Sequence, residues 1–332
     1  MNIILLSGGS GKRLWPLSDD IRSKQFLKVF KNEDGNCESM IQRVYRLLRK
    51  ADPTANVVVA TSKEQEPFIY SQLGDNINIS VEPCRKDTFP AIVLASAYLY
   101  DICGISKEDP VVVCPVDPYV ESDYFEAVKE LDKQVQKREA NIVLMGVEAT
   151  YPSEKYGYII PQNGEKISKV LSFEEKPNPI MAQKHIERNA LWNSGVFAYK
   201  LSYVLNKAKS LINFVDYQEL YNRYDTLCNI SFDYAVVEKE CRMQVVRFTG
   251  QWKDMGTWEE LTEIINDKIV GNAIMNEECK NVHIVNELKI PILAMGLHDV
   301  VISASERGIL ISDKNQSIHI KPFVDEINTQ YR

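Results

Sequence analysis

Short apolar runs alternate with longer segments of helical periodicity through roughly the first 270 residues. Four of the apolar runs, rich in valine and isoleucine, are predicted to be buried strands, at residues 57–60, 77–81, 111–114 and 142–145. Strands that alternate with helices are typical of helices packed on both faces of a mainly parallel sheet. The pattern therefore predicts an α/β domain with a mixed, mainly parallel sheet.

Two of the helices between these strands have clear start signals. Ser39 is followed three residues later by Gln42, which makes a capping box. The second helix begins near Thr88, accepts Pro90 in its first turn and is apolar nearly all round. Because it lacks a polar face, this second helix is predicted to lie in the centre of the domain.

The pattern changes after about Gly271. Short alternating runs at 282–285, 300–302 and 309–311 are separated by polar turns and show little helical period. We therefore expect two domains. Residues 1–270 carry the α/β pattern, and residues 271–332 form a small all-β domain, for which a short left-handed β-helix is one candidate architecture.

Composition narrows the class of protein. With 332 residues, of which 45% are hydrophobic and 26% charged, the chain is typical of a globular protein with a sizeable core. The net charge of −7, without a basic block, argues against nucleic acid as a partner. No apolar run approaches the ~20 residues that cross a bilayer, and no cationic leader precedes the first strand. The seven cysteines show no Cys-x-x-Cys spacing, so we expect reduced thiols in a cytoplasmic protein.

The residues behind the first strand carry the most specific chemical signal. Three glycines follow the apolar run, namely Gly8, Gly9 and Gly11. Glycines at such positions let backbone N–H groups come close to a ligand. Positive charge nearby comes from Lys12, Arg13 and Lys24. A dinucleotide fingerprint is excluded because Leu14 stands at its third glycine, and a Walker loop because Arg13 follows the lysine. The segment is predicted to hold phosphate.

The string from Gly8 to Ser18, with Lys24-Gln25-Phe26-Leu27 behind it, resembles the triphosphate loop of sugar-1-phosphate nucleotidylyltransferases. The resemblance is strongest to mannose-1-phosphate guanylyltransferases that lack an isomerase domain. It implies a Rossmann-like fold and a nucleotide site, which also includes a Glu-Pro segment farther along the chain. The implied nucleotide-binding residues are Leu6, Gly8, Gly9, Ser10, Gly11, Lys12, Arg13, Lys24, Glu82, Pro83 and Thr88.

Two aspartates match the family's magnesium ligands. Asp117 closely follows a predicted strand, and Asp254 precedes a helix whose start is marked by Thr257 and Glu260. Taken alone, each could be a carboxylate of a turn or a helix start. Since Mg²⁺ prefers oxygen ligands, the resemblance implies a Mg²⁺ site at Asp117 and Asp254. The candidate catalytic residues are then Arg13, Lys24, Asp117 and Asp254.

Further strings resemble the family's sugar-phosphate site. Phe173-Glu174-Glu175-Lys176-Pro177 matches a Phe-x-Glu-Lys-Pro signature, in which the lysine holds the sugar phosphate and the glutamate accepts bonds from hydroxyls. A solvated charge pair beside a turn is the alternative interpretation. The residues implied to bind the sugar phosphate are Tyr156, Gly157, Glu175, Lys176, Asn193 and Gly195. The string 231–239 is also close to the guanylyltransferase pattern, although it suggests no role for a single residue.

Some positions depart from the family pattern. Lys86, Asp87 and Phe89 stand where relatives have arginine, asparagine and alanine near the nucleobase, and Pro118 replaces a histidine. The resemblance therefore implies transfer of a nucleotidyl group to a sugar 1-phosphate, with GTP and mannose 1-phosphate favoured. The alternatives are dTTP, CTP or UTP with another hexose or heptose phosphate, and a non-catalytic nucleotide-sugar sensor. An acyltransferase tail is the weakest alternative. Relatives often pair through the tail, so a homodimer is expected.

Overall fold

The computed structural model describes residues 1–9, 11–265 and 267–330, and for Lys12 the backbone alone. The chain separates into two compact units. The first consists of Met1–Gly8, Tyr45–Val116 and Val120–Trp252, and the second consists of Gly9–Val44, Asp117–Tyr119 and Lys253–Arg332. The predicted domain division at residue 270 stays a prediction.

Strands account for much of both units. Within the described residues they are β1 (Asn2–Ser7), β2 (Phe30–Lys31), β3 (Cys37–Glu38), β4 (Asn56–Ser62), β5 (Asn78–Glu82), β6 (Pro110–Pro115), β7 (Pro118–Val120), β8 (Ile142–Glu148), β9 (Tyr158–Pro161), β10 (Ile167–Glu174), β11 (Leu191–Lys200), β12 (Met243–Phe248), β13 (Trp252–Asp254), β14 (Ile269–Gly271), β15 (Ala273–Met275), β16 (His283–Asn286), β17 (Ile292–Ala294), β18 (Val300–Ser305) and β19 (Gly308–Asp313).

The helices connect these strands and close the chain. They are α1 (Met40–Ala51), α2 (Glu66–Leu73), α3 (Thr88–Asp101), α4 (Ser122–Gln136), α5 (Pro179–Glu187), α6 (Leu201–Leu211), α7 (Tyr217–Asn222), α8 (Phe232–Ala235), α9 (Trp258–Thr262) and α10 (Lys321–Gln330). Among the described residues, no helix is long and apolar enough to cross a membrane.

The first unit is built on a nine-stranded sheet in the order β5-β4-β1-β6-β11-β8-β12-β10-β9. The pairings make β10 and β11 antiparallel to their neighbours, while the other strands run in one direction. The sheet is therefore mixed with a parallel majority, as the apolar runs predicted. All four predicted strands overlap β4, β5, β6 and β8.

Both faces of this sheet are covered, which explains why its strands are continuously apolar. In β6, Val111 and Val113 join a core cluster with α3, and Val112 points to the opposite face because side chains alternate along a strand. All three valines are fully buried. Helix α3 is buried nearly all round, as predicted, and the capping box of α1 is present, with Gln42 N donating to Ser39 Oγ.

The second unit holds the β-rich tail. Strands β14, β16 and β18 pair in parallel, β19 joins antiparallel to β18, and β15 pairs in parallel with β17. A small apolar core of Val282, Ile284, Ala294 and Ile302 lies between them. A terminal helix, α10, follows and packs through Val324 near Trp15. The tail is thus β-rich as predicted, with a helix that the alternating pattern did not predict. A β-helix stays a prediction.

Candidate active site

The glycine-rich loop combines open space with one tightly packed position. A Cβ placed on Gly8 or Gly9 would meet nothing within 4 Å, and Gly9 has a φ of 120° that favours glycine. A Cβ on Gly11, in contrast, would lie 2.8 Å from the Ser23 Cα and 2.9 Å from the Lys24 N. The loop therefore packs directly against the backbone that carries Lys24. Ser10 and the side chain of Lys12, both predicted to bind nucleotide, lie outside the described part of the chain.

Lys24 lies between the two predicted metal ligands. Its ammonium Nζ is 3.1 Å from Asp117 Oδ2 and 3.1 Å from Asp254 Oδ1. Lys24 sits on a short 3-10 helix (Lys24–Phe26), Asp117 directly precedes β7, and Asp254 ends β13. Burial lowers the pKa of the Lys24 ammonium, but the two carboxylates outweigh burial and leave the pKa above its ordinary value. Three residues that are far apart in sequence thus form one ionic cluster, which we call the acidic triad.

The chemistry of this triad suits a divalent metal. Two carboxylates whose oxygens converge on one cation offer oxygen donors, which hard cations prefer. Within the described residues, no group of three or more His, Cys, Asp or Glu is gathered for a metal. A metal at Asp117 and Asp254 would therefore take its remaining ligands from substrate phosphates or water, as Mg²⁺ commonly does.

Arg13 belongs to the same region of the second unit. A Cβ on Gly256 would be 3.2 Å from Arg13 Nη1 and 3.2 Å from Glu260 Oε2, so this glycine packs between the two side chains. Gly256 lies two residues after Asp254, and Thr257 caps α9, with Glu260 N donating to its hydroxyl. The turn that carries Asp254 is thus followed by a capped helix, and the Arg13 guanidinium lies close to it.

The predicted sugar-phosphate residues lie in the first unit and contact one another. Lys176 adopts a φ of 49°, unusual for a residue with a Cβ, and its Nζ lies 3.2 Å from Glu175 Oε1. Glu175 N donates to Glu238 Oε1 at 3.0 Å. A Cβ on Gly157 would be 2.4 Å from Glu175 Oε2 and 2.7 Å from the Phe173 ring, so a larger residue there would displace these side chains. Burial raises the pKa of Glu175, and the Lys176 ammonium opposes that rise.

Asn193 is fixed at both ends of its amide. Its Nδ2 donates to Asp233 Oδ1 at 2.8 Å, and its Oδ1 accepts from Gly195 N at 3.2 Å. The register of β11 against β8 shifts between Asn193 and Phe197, and Gly195 has a φ of 76° at that irregularity. Tyr156 packs its ring on Trp192 and Trp252, with ring centroids 4.9 and 5.5 Å apart.

Asp233 is the residue that sequence reasoning missed in this cluster. It lies in the first turn of α8, within a string that matched the family without suggesting a role. Burial and then the Glu175 carboxylate raise the pKa of Asp233 to about 7. The hydrogen bond from Asn193, 40 residues away, is the contact that places Asp233 in this cluster. No local signal in the sequence points to that contact.

The predicted nucleotide residues of the Glu-Pro segment have partners within the protein. Tyr224 donates its hydroxyl to Glu82 Oε2 at 2.5 Å, and burial raises the pKa of Glu82 to about 7. Thr88 Oγ1 accepts from Phe232 N at 2.8 Å. Of the departures from the family pattern, Lys86 donates to the Asp225 carbonyl and Asp87 caps α3. Leu6, at the end of β1, packs against the core.

Comparisons with known proteins agree with these features. A family model described as "Nucleotidyl transferase" matches residues 2–269. The chain is 28% identical to mannose-1-phosphate guanylyltransferase 2 of Escherichia coli O157:H7, over 99% of this chain and 74% of that protein. It is also 28% identical to the alginate biosynthesis protein AlgA of Pseudomonas fluorescens, over 99% and 72%. A crystal structure described as a mannose-1-phosphate geranyltransferase from Thermus thermophilus is similar, with a TM-score of 0.80, 25% identity and 98% of both chains covered.

The loop geometry predicts opposite effects at two glycines. Gly11→Ala should lower Tm by several degrees, because overpacking against Ser23 and Lys24 costs about 1–3 kcal/mol. Gly8→Ala should leave Tm unchanged, because its methyl group would meet no protein atom. It should weaken binding of a nucleoside triphosphate, because the methyl group would fill the open space in which phosphate is expected. Differential scanning fluorimetry and calorimetric titration measure the two quantities. Gly164→Ala, which also faces open space, is the control for both. Equal Tm values for Gly11→Ala and Gly8→Ala would contradict the packing described.

The carboxyl of Asp233 predicts a pH-dependent stability. Its folded pKa of about 7 lies above the ordinary value of about 3.9. The folded protein therefore holds a proton that the unfolded chain has lost, and its stability falls as pH rises from about 4 to about 7. Asp233→Asn should escape this loss, so its Tm relative to the wild type should rise across that window. Asp75→Asn, an exposed position, should track the wild type. Parallel curves for Asp233→Asn would contradict the raised pKa.

Proposed function

The chain belongs to the nucleotidyl transferase family, and within the sugar-phosphate nucleotidyltransferase activity of that family we propose GTP and mannose 1-phosphate as its substrates. The products are GDP-mannose and pyrophosphate. The observation that carries the proposal is the acidic triad, with Gly11 packed against the backbone of Lys24, since the triad supplies two carboxylates for a metal and one ammonium for phosphate within the second unit. The relatives named as mannose-1-phosphate guanylyltransferases support the choice of substrates.

The reaction needs positioning more than covalent help from the protein. An oxygen of the sugar 1-phosphate attacks the α-phosphorus of the triphosphate in line with the leaving group. The new P–O bond forms as the bond from the α-phosphorus to its bridging oxygen breaks, and pyrophosphate leaves. Catalysis then depends on holding both phosphates in place and stabilising the charge that develops between them.

We assign the triphosphate to the second unit and the loop that leads into it. The open side of Gly8 and Gly9 admits it, and Arg13 and Lys24 supply positive charge beside it. Nucleotidyl transferases generally use a divalent metal, and we propose Mg²⁺ held by Asp117 and Asp254. Such a metal would neutralise charge on the triphosphate oxygens. In the free enzyme, Lys24 supplies the positive charge that keeps the two carboxylates together.

We assign the sugar phosphate to the cluster of the first unit. Lys176 is the cation for its phosphate, and its strained backbone fixes the start of the side chain. Glu175 and Asn193 are the polar groups for sugar hydroxyls, the first buried beside Gly157 and the second locked by Asp233. Tyr156 and the backbone at Gly157 and Gly195 complete the assignment.

The identity of the nucleobase and of the sugar is the most specific part of the proposal. In the Glu-Pro segment, which the family resemblance places near the nucleobase, Lys86 donates to the Asp225 carbonyl and Asp87 accepts from the adjacent Thr88 N. We therefore propose that these two side chains do not discriminate between bases. The similarity to AlgA, named for alginate biosynthesis, supports a role in supplying nucleotide-sugar for a polysaccharide.

We also propose that the chain pairs with a second copy through its tail. Ile274 and Leu293 are neighbours across the β15–β17 pair, and both are more than 60% exposed. Exposed apolar neighbours of this kind mark interaction surfaces. Sedimentation equilibrium should give a dimer, and a monomer at micromolar concentration would reject the pairing.

A substrate panel tests the proposed activity directly. Purified protein with Mg²⁺ is incubated with GTP, ATP, dTTP, CTP or UTP and with mannose, glucose or heptose 1-phosphates, and pyrophosphate release is measured. We expect the highest kcat/KM for GTP with mannose 1-phosphate. A higher value for another pair would replace the substrates, and no release with any pair would contradict transferase activity. Binding of nucleotide-sugar without turnover would indicate a sensor.

A substitution of Lys176 tests the assigned sugar-phosphate site separately from the assigned triphosphate site. Lys176→Ala should lower kcat/KM for the sugar phosphate by about 10²–10³, as is typical when a preorganised charge is removed. Affinity for the triphosphate, measured by calorimetry, should stay within about twofold. The control is Lys169→Ala, an exposed lysine of β10 in the same unit. Equal losses for both substrates would contradict the role assigned to Lys176.

A further inference from the structure

The segment between the glycine-rich loop and Lys24 is closed into a tight turn. Asp19 N donates to the Arg22 carbonyl at 2.9 Å, and Arg22 N donates back to Asp19 Oδ1 at 2.6 Å. This turn also reaches the loop, because Gly11 N donates to the Asp19 carbonyl at 3.3 Å. Lys24 follows the turn by two residues. The position of the turn therefore sets the position of both Gly11 and Lys24.

Two ion pairs from the β-rich tail hold this turn. Arg22 donates both Nη atoms to Glu287, each at 2.7 Å, and Glu287 directly follows β16. Arg307, between β18 and β19, places Nη2 2.7 Å from Asp19 Oδ2. The bidentate geometry fixes orientation as well as distance. We call these two ion pairs, Arg22–Glu287 and Asp19–Arg307, the clasp.

Contacts beside the clasp tie the same segment to the tail. Ser305 Oγ donates to the Pro16 carbonyl at 2.8 Å, and a Cβ on Gly308 would lie 2.6 Å from the Trp15 ring. Trp258 Nε1 donates to the Trp15 carbonyl at 3.1 Å, and Trp258 begins the helix that follows Asp254. The segment is thus held both by the tail and by α9, the helix that follows the predicted metal ligand Asp254.

We infer that the β-rich tail is a positioning element of the triphosphate site, and that Arg22 and Glu287 are positioning residues for the reaction. The clasp holds the Asp19–Arg22 turn, the turn holds Gly11 and Lys24, and Lys24 holds Asp117 and Asp254. This inference rests on the proposed function. An isolated surface ion pair contributes little, so an effect of Arg22 on catalysis would have to come through this chain of contacts.

A charge-swap cycle tests the inference. Arg22→Glu and Glu287→Arg should each lower kcat/KM for GTP by about tenfold, while KM for mannose 1-phosphate stays within about twofold. The double variant, Arg22→Glu with Glu287→Arg, should recover to within about threefold of the wild type because the ion pair is restored in reverse. Lys129→Glu, which breaks an exposed ion pair in the first unit, is the matched control and should leave both parameters unchanged.

Hydrogen exchange supplies a second readout that does not need turnover. In protein without ligands, Arg22→Glu should speed exchange of the amides from Leu14 to Leu27, and the double variant should restore protection. The inference is overturned if Arg22→Glu changes neither kcat/KM nor the exchange rate. It is also overturned if the double variant folds but recovers neither the wild-type kcat/KM nor the wild-type protection. If the wild type releases no pyrophosphate in the substrate panel, the proposed function fails. Hydrogen exchange still tests the clasp in that case: faster exchange in Arg22→Glu that the double variant does not reverse would reject it.

Discussion

The arrangement of the second unit depends on one largely buried ammonium group between two carboxylates. Three chain segments build this unit, and each supplies one member of the acidic triad: Lys24, Asp117 and Asp254. Two like charges brought together without a cation would repel each other, and a desolvated ammonium without partners would lose its proton. We propose that the same cluster, which joins the three segments, also receives the metal and the phosphate charges of the substrate.

The features predicted correctly from the sequence are those that depend on local patterns. The valine-rich strands, the capping box at Ser39 and the buried helix at Thr88 follow from neighbours within a few residues of one another, and the structure has each of them. The glycine-rich loop and the two aspartates came from motifs. The structure then brought Asp117 and Asp254 to a single lysine, which gives those motif positions a shared physical environment.

Contacts across long stretches of sequence could not be predicted in the same way. Asp233 locks Asn193 from 40 residues away, and Arg22 meets Glu287 from 265 residues away. Neither pair has a local signature, because a surface arginine or a helix-start aspartate is ordinary at those positions. Helix α10 was also missed, since the alternating apolar pattern of the preceding strands dominated the end of the chain.

The most direct measurement is the binding of a divalent metal by the acidic triad. Mn²⁺ binding in the presence of GTP is followed by electron paramagnetic resonance in the wild type, Asp117→Asn, Asp254→Asn and the exposed control Asp75→Asn. One site in the wild type and in the control, lost in both triad variants, is the predicted result. Undiminished Mn²⁺ binding in either triad variant would contradict the assignment of these carboxylates to the metal.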